Sequence, residues 1–397
     1  MTVHVVGAGL AGLSCALAAA DAGMSVVLHE AAGQAGGRCR SWVEPTLGVT
    51  IDNGTHMVVG GNHEVFRYLR RIGGTDGLIA GPAAFPMLDL ESGRLWTASL
   101  GRLLPSVLAS AWRMAPSQDA GITRRLGASR NFHRFWEPLA LAVMNTPAED
   151  ASARVFRRVL ARTLWRGQAA SRPFLARNGL SETFVGPALA ALAVAGVTVR
   201  LHHPLRRLQR SGRLVTALDF DDGAVVLGPS DAVVLAVPWA VARQLLPELP
   251  KLPASPIVNG HFRLAVAPAK RSSGDFIGLL GGTAQWLFVR GDVVSVTVSA
   301  AAALAERSVD EIGTVLWGDI AKALGLRQAP VAQRVIKEKR ATLFHSPEVE
   351  ALRPAAAFGD NLLLAGDWTA TGLPCTLEGA LTSGVGAARQ LLRRNPA

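Results

Sequence analysis

Cysteine is scarce in this chain: Cys15, Cys39 and Cys375 are the only three in 397 residues, with no CxxC and no partner spacing. That excludes a disulfide framework or a zinc knuckle, predicts no metal site, and fits a reducing compartment. Long apolar runs are missing as well. Although 49% of the residues are hydrophobic, stretches such as Phe184 to Val199 are broken by Gly and Pro and fall short of the roughly 20 apolar residues a spanning helix requires. The first twenty residues carry no formal charge, yet they lack a basic leader and already contain a glycine turn, so no export signal is read. There is no internal repeat and no low-complexity tail, and tyrosine occurs once, at Tyr68. A chain of this length and apolar content buries a large core spread over two or three domains.

Acidic residues are outnumbered, 30 against 41 basic ones, for a net charge of +11. Residues 101–172 hold twelve arginines against four acids, +8 of that excess. Within them, "ARVFRRVLARTLWR" sets Val155, Phe156, Val159, Leu160, Thr163 and Leu164 on one helical face and Arg154, Arg157, Arg158, Arg162 and Arg166 largely on the other. "RLLPSVLASAWRM" repeats the pattern with Leu103, Leu104, Val107, Leu108, Ala111 and Trp112. Helices of this kind lie either in an anionic membrane interface or simply against solvent. A nucleic-acid partner is not expected, because no RRM, KH, zinc or helix-turn-helix signature accompanies the charge.

Against these absences, "VHVVGAGLAGLS" stands out as a strand, a glycine turn and a helix. Gly7 permits the tight turn, Gly9 lets a pyrophosphate approach the helix N-terminus, and Gly12 lets helix and strand pack closely. "MSVVLHE" supplies a second strand ending at Glu30, placed to accept from an adenosine ribose. Next, "EAAGQAGGRCRS" offers a second glycine turn, Gly36 and Gly37, with Arg38 to neutralise a diphosphate. Far downstream, "NLLLAGDWTATGLPCTLEGALTSG" reads as a buried strand, then Gly366 and Asp367, then a loop opening a helix near Leu377.

Together these segments resemble the flavoprotein superfamily of amine oxidases and phytoene desaturases, which implies FAD as cofactor. The resemblance implies that Asp367 meets the ribityl and diphosphate region, that backbone at Leu377 meets the flavin carbonyl edge, that Gly54 in "IDNGTHMVVGG" lies beside the flavin, and that the strand at Leu205 holds adenine. The expected fold is α/β: a discontinuous Rossmann-like FAD-binding domain of residues 1–74, 181–238 and 335–397, with an α+β substrate domain of residues 75–180, mainly helical in pattern, and 239–334.

The resemblance narrows over nearly the whole chain. "FWEPLALAVMNTPAEDASARVF", "NGLSETFVGPAL", "IVNGHFRL", "GLLGGTAQWLFVR" and "AGDWTATGLPCTLEGA" are similar to the squalene-associated flavoproteins, the hydroxysqualene dehydroxylases of bacterial hopanoid synthesis. It implies reductive removal of a hydroxyl from a C30 isoprenoid, through an allylic cation quenched by hydride from reduced flavin. Such a site needs a long apolar cavity, an acid for the leaving hydroxyl and electron-rich walls. Phe135, Trp136, Trp286, Phe288 and Trp368 are candidate walls. His56 is the first candidate acid, with Glu137 and His261 next, Asn145 placed to orient the hydroxyl, and water an alternative proton source.

An isoprenoid desaturase, run in the oxidising direction, shares the same requirements, and a non-catalytic lipid escort would keep the cavity without the cofactor segments. Amine oxidation is disfavoured: those enzymes commonly place a tyrosine before the residue matched by Leu377, where this chain has Thr376, and Lys270 in "PAKRSSG" reads as an exposed loop. A single dinucleotide fingerprint predicts no separate nicotinamide site, leaving the electron donor open among a protein, a quinone and free reduced flavin. The expected location is cytoplasmic, peripheral at the inner face of the cytoplasmic membrane.

Overall fold

The computed structural model describes residues 1–397 apart from 115–118, 128, 130, 270–274 and 395–397. Arg130 and Lys270 thus lie outside the described residues.

Strands with continuous apolar runs are covered on both faces, and the runs at residues 2–6, 25–29 and 232–235 behave in this way. Five parallel strands lie in the order Thr198–Arg200, Ser25–His29, Thr2–Val6, Ala232–Leu235, Leu362–Leu364. Val3, Val5, Leu28 and Val234 pack with apolar residues of the helices Leu10–Asp21 and Leu377–Arg394; Val6, Val233, Leu235 and Leu364 belong to a second core on the other face. Thr2–Val6 is central: the chain first adds strands on one side of it and later on the other. The switch point therefore lies between Thr2–Val6 and Ala232–Leu235, and open α/β sheets bind ligands at the carboxyl ends of such a pair.

A second sheet of seven strands runs Ala332–Leu343, Ala254–Arg263, Val293–Val298, Trp286–Arg290, Phe276–Leu280, Ala84–Asp89, Leu95–Ser99. Alternation along its strands sorts two faces. Val258, Phe262, Leu287, Val294, Val296 and Val335 pack against the helix Val309–Leu324. Met87, Leu280 and Trp286 instead join a helical layer that includes Phe132, Phe135, Trp136, Val155, Phe156 and Leu160.

The architecture is the expected α/β class with an α+β substrate side, and two details differ from the sequence reading. The boundary at 335 falls inside the strand Ala332–Leu343, which pairs antiparallel with Ala254–Arg263 and so belongs to the substrate sheet up to Leu343. Residues 75–180 also contribute strands, Leu78–Ala80, Ala84–Asp89, Leu95–Ser99 and Pro173–Ala176. These strands are only three to six residues long and their burial follows no strict two-residue alternation, as at Leu78–Ala80 and Leu95–Ser99, so no period marks them in the sequence.

Candidate functional site

At the carboxyl ends of the parallel strands, two glycine turns meet. Gly7 has φ +103, and a Cβ on Gly12 would stand 1.8 Å from the Gly7 carbonyl oxygen, so strand and helix touch through backbone. The helix Leu10–Asp21 has no side-chain cap at Gly9, and a Cβ built there meets nothing within 4 Å. Open space before an uncapped helix N-terminus suits an anion. The second turn closes onto the first: the Gly36 N–H donates to the Ala8 carbonyl at 2.8 Å, Gly36 bridges Gly9, and Gly37 lies against the Gly9 backbone. Glu30 is aimed by backbone donors, its two oxygens accepting from Ala8 N–H at 2.7 Å and Ala32 N–H at 2.9 Å. These residues fit a dinucleotide diphosphate and its ribose.

Leu205 opens an antiparallel strand, Leu205–Ser211, beside the same end, and the backbone of His203, two residues earlier, donates to the Glu30 carbonyl at 2.8 Å. Here three histidines form a chain that sequence reading did not find. His4 Nδ1 lies 3.2 Å from His29 Nε2, His29 Nδ1 lies 3.0 Å from His203 Nδ1, and His203 Nε2 lies 2.8 Å from the Asp222 carboxylate. With each ring neutral, the five nitrogens that meet along the chain are all satisfied: His203 donates to Asp222, His29 to His203, and His4 to His29. An added proton on His29 would turn an acceptor into a donor facing a donor. Burial, reinforced by His4 and His203, depresses its pKa from 6.5 to about 3.

The unfolded chain therefore binds a proton that the folded chain refuses. The His29 contribution is fully present above pH 6.5 and is lost as pH falls from 6.5 towards about 3, an effect on the order of a few kcal/mol. His29→Gln should show a smaller loss of melting temperature between about pH 7 and about pH 4 than the wild type, measured by thermal unfolding; an equal loss would remove His29 from the acid response.

At the other end, Asp367 is buried and accepts two bonds from Arg38 Nη2, at 2.8 and 2.7 Å. Arg38 also donates to the Ala341 carbonyl. The helix Leu377–Arg394 starts as expected at Leu377, and the buried carboxylate of Glu378 accepts from Glu64 N–H and Val65 N–H, both at 3.0 Å, and from Arg162 at 3.2 Å. Two helix starts are thereby tied together.

The loop between Asp367 and Leu377 is held from below by residues the sequence did not single out. Arg353, whose side chain is fully buried, donates to the carbonyls of Asp367, Trp368, Thr369 and Leu373. It also pairs with Glu350 at 2.9 Å. His345 accepts from the Cys375 N–H at 2.9 Å and donates to Glu350 at 2.5 Å. Burial works to raise the Glu350 pKa, but His345 and Arg353 together hold it below the ordinary range.

The substrate-side candidates separate. Across the second sheet, pairing places Phe276, Phe288, Ser295 and His261 in one row and Gly278, Trp286, Thr297 and Asn259 in the next. This face runs from aromatic at one side to polar at the other. Its polar side touches the Ile51–His56 segment: Asn259 Nδ2 donates to the Asn53 carbonyl at 3.1 Å and a Cβ on Gly54 would collide with it. His56 is half-buried and donates from Nδ1 to the Gly54 carbonyl at 2.7 Å; desolvation lowers its pKa despite that bond. His261 is buried, bonded to Ser295 Oγ at 2.8 Å, and its Nε2 has no partner among the described residues; burial depresses its pKa to about 4.

Three candidates leave the site. Trp368 donates to the Val237 carbonyl at 2.9 Å and packs in the nucleotide-side core with Trp239 and Leu246, so it walls no substrate chamber. Glu137 gives its carboxylate to His133 at 2.8 Å in a partly exposed pair. Asn145 is saturated: Nδ2 donates to the Ser255 carbonyl and Thr342 Oγ1 while Oδ1 accepts from Ala300 N–H, leaving nothing to orient a hydroxyl. Phe135 and Trp136 stay in the helical layer facing Trp286, Trp136 donating to Ser106 Oγ at 2.8 Å. Tyr68 is buried in the nucleotide-side core with its hydroxyl on the Phe184 carbonyl at 2.9 Å, so it contributes to no aromatic cage.

A dinucleotide cleft facing a partly aromatic, partly polar sheet defines a flavin-dependent oxidoreductase. The sequence matches the flavin containing amine oxidoreductase family over residues 10–392, and the chain belongs to it. Within that family it is 40% identical over 409 residues to the hydroxysqualene dehydroxylase of Sinorhizobium fredii, covering 97% of both chains. Similarity to a probable zeta-carotene desaturase of Synechococcus elongatus is weaker, 25% over 297 residues, 62% of this chain and 60% of that one. The fold also matches putrescine oxidase bound to putrescine, with a TM-score of 0.74 at 17% identity over 99% of both chains.

Proposed function

We propose that the protein removes the hydroxyl of hydroxysqualene reductively, giving squalene, with FAD as cofactor, as a step towards hopanoids. The carrying observation is the sheet face that passes from Phe276, Trp286 and Phe288 to Ser295, Thr297 and His261: a hydrocarbon lies along one side while its single polar group reaches the other. Near-full-length identity to a hydroxysqualene dehydroxylase supports the reading.

The uncapped turn at Gly9 would hold the diphosphate, Glu30 the adenosine ribose, Arg38 and Asp367 the ribityl side, and the helix start at Leu377 the flavin carbonyl edge. When bound in reduced form, FAD would supply hydride chemistry at this site. His56, with Nδ1 committed to the Gly54 carbonyl, keeps Nε2 for the substrate oxygen, and its depressed pKa makes the protonated ring a stronger but scarcer acid. The hydroxyl leaves as water with that proton. Aromatic walls favour the cationic carbon left behind. Electrons arrive from a protein, a quinone or free reduced flavin, and the protein sits in the cytoplasm at the inner membrane face.

The test is anaerobic reduction of the purified protein followed by one turnover with hydroxysqualene. Squalene should form as the flavin reoxidises; flavin bleaching of the oxidised protein by squalene would instead mark a desaturase. The turnover rate should climb as pH falls below 6.5, and His56→Gln should flatten that climb. An unchanged profile would assign the proton to water.

A further inference from the structure

We propose that the helix Leu100–Arg113 docks the protein onto an anionic lipid bilayer, inserting Leu104, Leu108 and Trp112. The three residues recur every four positions and so line one face of the helix. They are 47%, 63% and 80% exposed. This exposure does not come from a helix left without a seat. Its other face is anchored: Val107 is buried, Ser106 Oγ accepts from the Trp136 indole at 2.8 Å, and Ser110 Oγ accepts from the Trp165 indole at 3.2 Å. A fixed helix that presents two leucines and a tryptophan outward carries apolar area that water penalises. Such side chains suit the boundary between headgroups and acyl chains, where indole rings concentrate.

Charge selects the occupant. Residues 100–136 contain six arginines and one acid, Asp119, and that acid is already engaged by Ser152 Oγ at 2.7 Å and by Arg154. Arg113 is exposed at the end of the helix, and Arg124 is exposed on the short helix Ile122–Leu126 packed beside it. A cationic rim around an apolar stripe attracts anionic headgroups; a second copy of the chain would bring the same rim against itself. Two arginines of the helix Ala153–Arg162 play a different part. Arg162 pairs with Glu378 and Arg158 packs on Gly372, so they brace the cofactor-side loop. The docking helix also roofs the layer that holds Phe135 and Trp136, so, resting on the function proposed above, a bilayer-dissolved isoprenoid would enter beneath it.

Flotation of the FAD-loaded protein with phosphatidylcholine vesicles, with and without phosphatidylglycerol, tests the surface. The wild type should float with the anionic vesicles, less so at high salt. The Leu104→Ser, Leu108→Ser, Trp112→Ser triple variant should lose about tenfold or more of its partitioning while keeping its flavin absorbance, and Arg113→Ser with Arg124→Ser should weaken the salt dependence. Three results would overturn the proposal: a wild type that stays unbound, a triple variant that floats equally well, or a triple variant whose main change is from dimer to monomer in sedimentation velocity. Flotation requires no turnover, so its failure leaves dehydroxylation intact, and failed dehydroxylation leaves the docking surface intact.

Discussion

Arg353→Ala should lower stability by about 3–5 kcal/mol and release most of the FAD. The first effect follows from burial. Glu350 and Arg353 both sit inside the protein, 4% and 0% exposed at the side chain, and removing Arg353 leaves the buried Glu350 charge with His345 alone to compensate it. The second follows from the carbonyls. Arg353 satisfies backbone oxygens at residues 367, 368, 369 and 373, and without it the loop between Asp367 and Leu377 loses its floor. Asp367 would then no longer be held where Arg38 meets it. Arg353→Lys should recover part of the stability, since it restores the charge, but little of the FAD content, since one ammonium cannot serve the planar fork's several acceptors. Thermal unfolding and the ratio of flavin to protein absorbance measure the two effects separately. A full complement of FAD in the alanine variant would show that the loop is held by its other contacts.

What the sequence disclosed, it disclosed through backbone chemistry. Gly7, Gly12, Gly36 and Gly366 adopt or permit conformations that other residues resist, so their spacing reports turns directly. Glu30 and Asp367 were legible because each ends a buried apolar strand. The histidine chain was not, because His4, His29 and His203 are far apart in sequence and meet only through the parallel sheet. Arg353 was hidden for a similar reason: "SPEVEALRP" reads as a capped helical turn, and nothing local says that its one arginine caps carbonyls fourteen to twenty residues onward. Asn145 misled in the opposite way. Its neighbourhood matched a substrate-side motif, yet its left-handed φ of 47 and full set of bonds make it a joint between a helix end and the second sheet. Trp368 misled because an aromatic beside a cofactor aspartate looks like a wall, while its indole turns to the Val237 carbonyl.

Gly12→Ala and Gly9→Ala should separate folding from cofactor binding. At Gly12 the added carbon would stand 1.8 Å from the Gly7 carbonyl oxygen and 3.0 Å from its carbon, both backbone atoms of the first glycine turn. No rotamer change relieves that contact, so strand and helix must separate, opening the core that Val3, Val5 and Leu13 share. A loss exceeding about 3 kcal/mol is expected, of the size seen for overpacked or strained sites, with insoluble or unfolded protein as the readout. Gly9 is different. Its φ of −73 and ψ of 176 are ordinary for alanine, and the new methyl meets no protein atom within 4 Å. The protein should fold, with an unbound melting temperature near that of the wild type. FAD should bind at least about tenfold more weakly, because the methyl occupies the approach to the uncapped helix N-terminus where backbone donors meet a diphosphate. Undiminished FAD affinity in Gly9→Ala would move the diphosphate away from this turn.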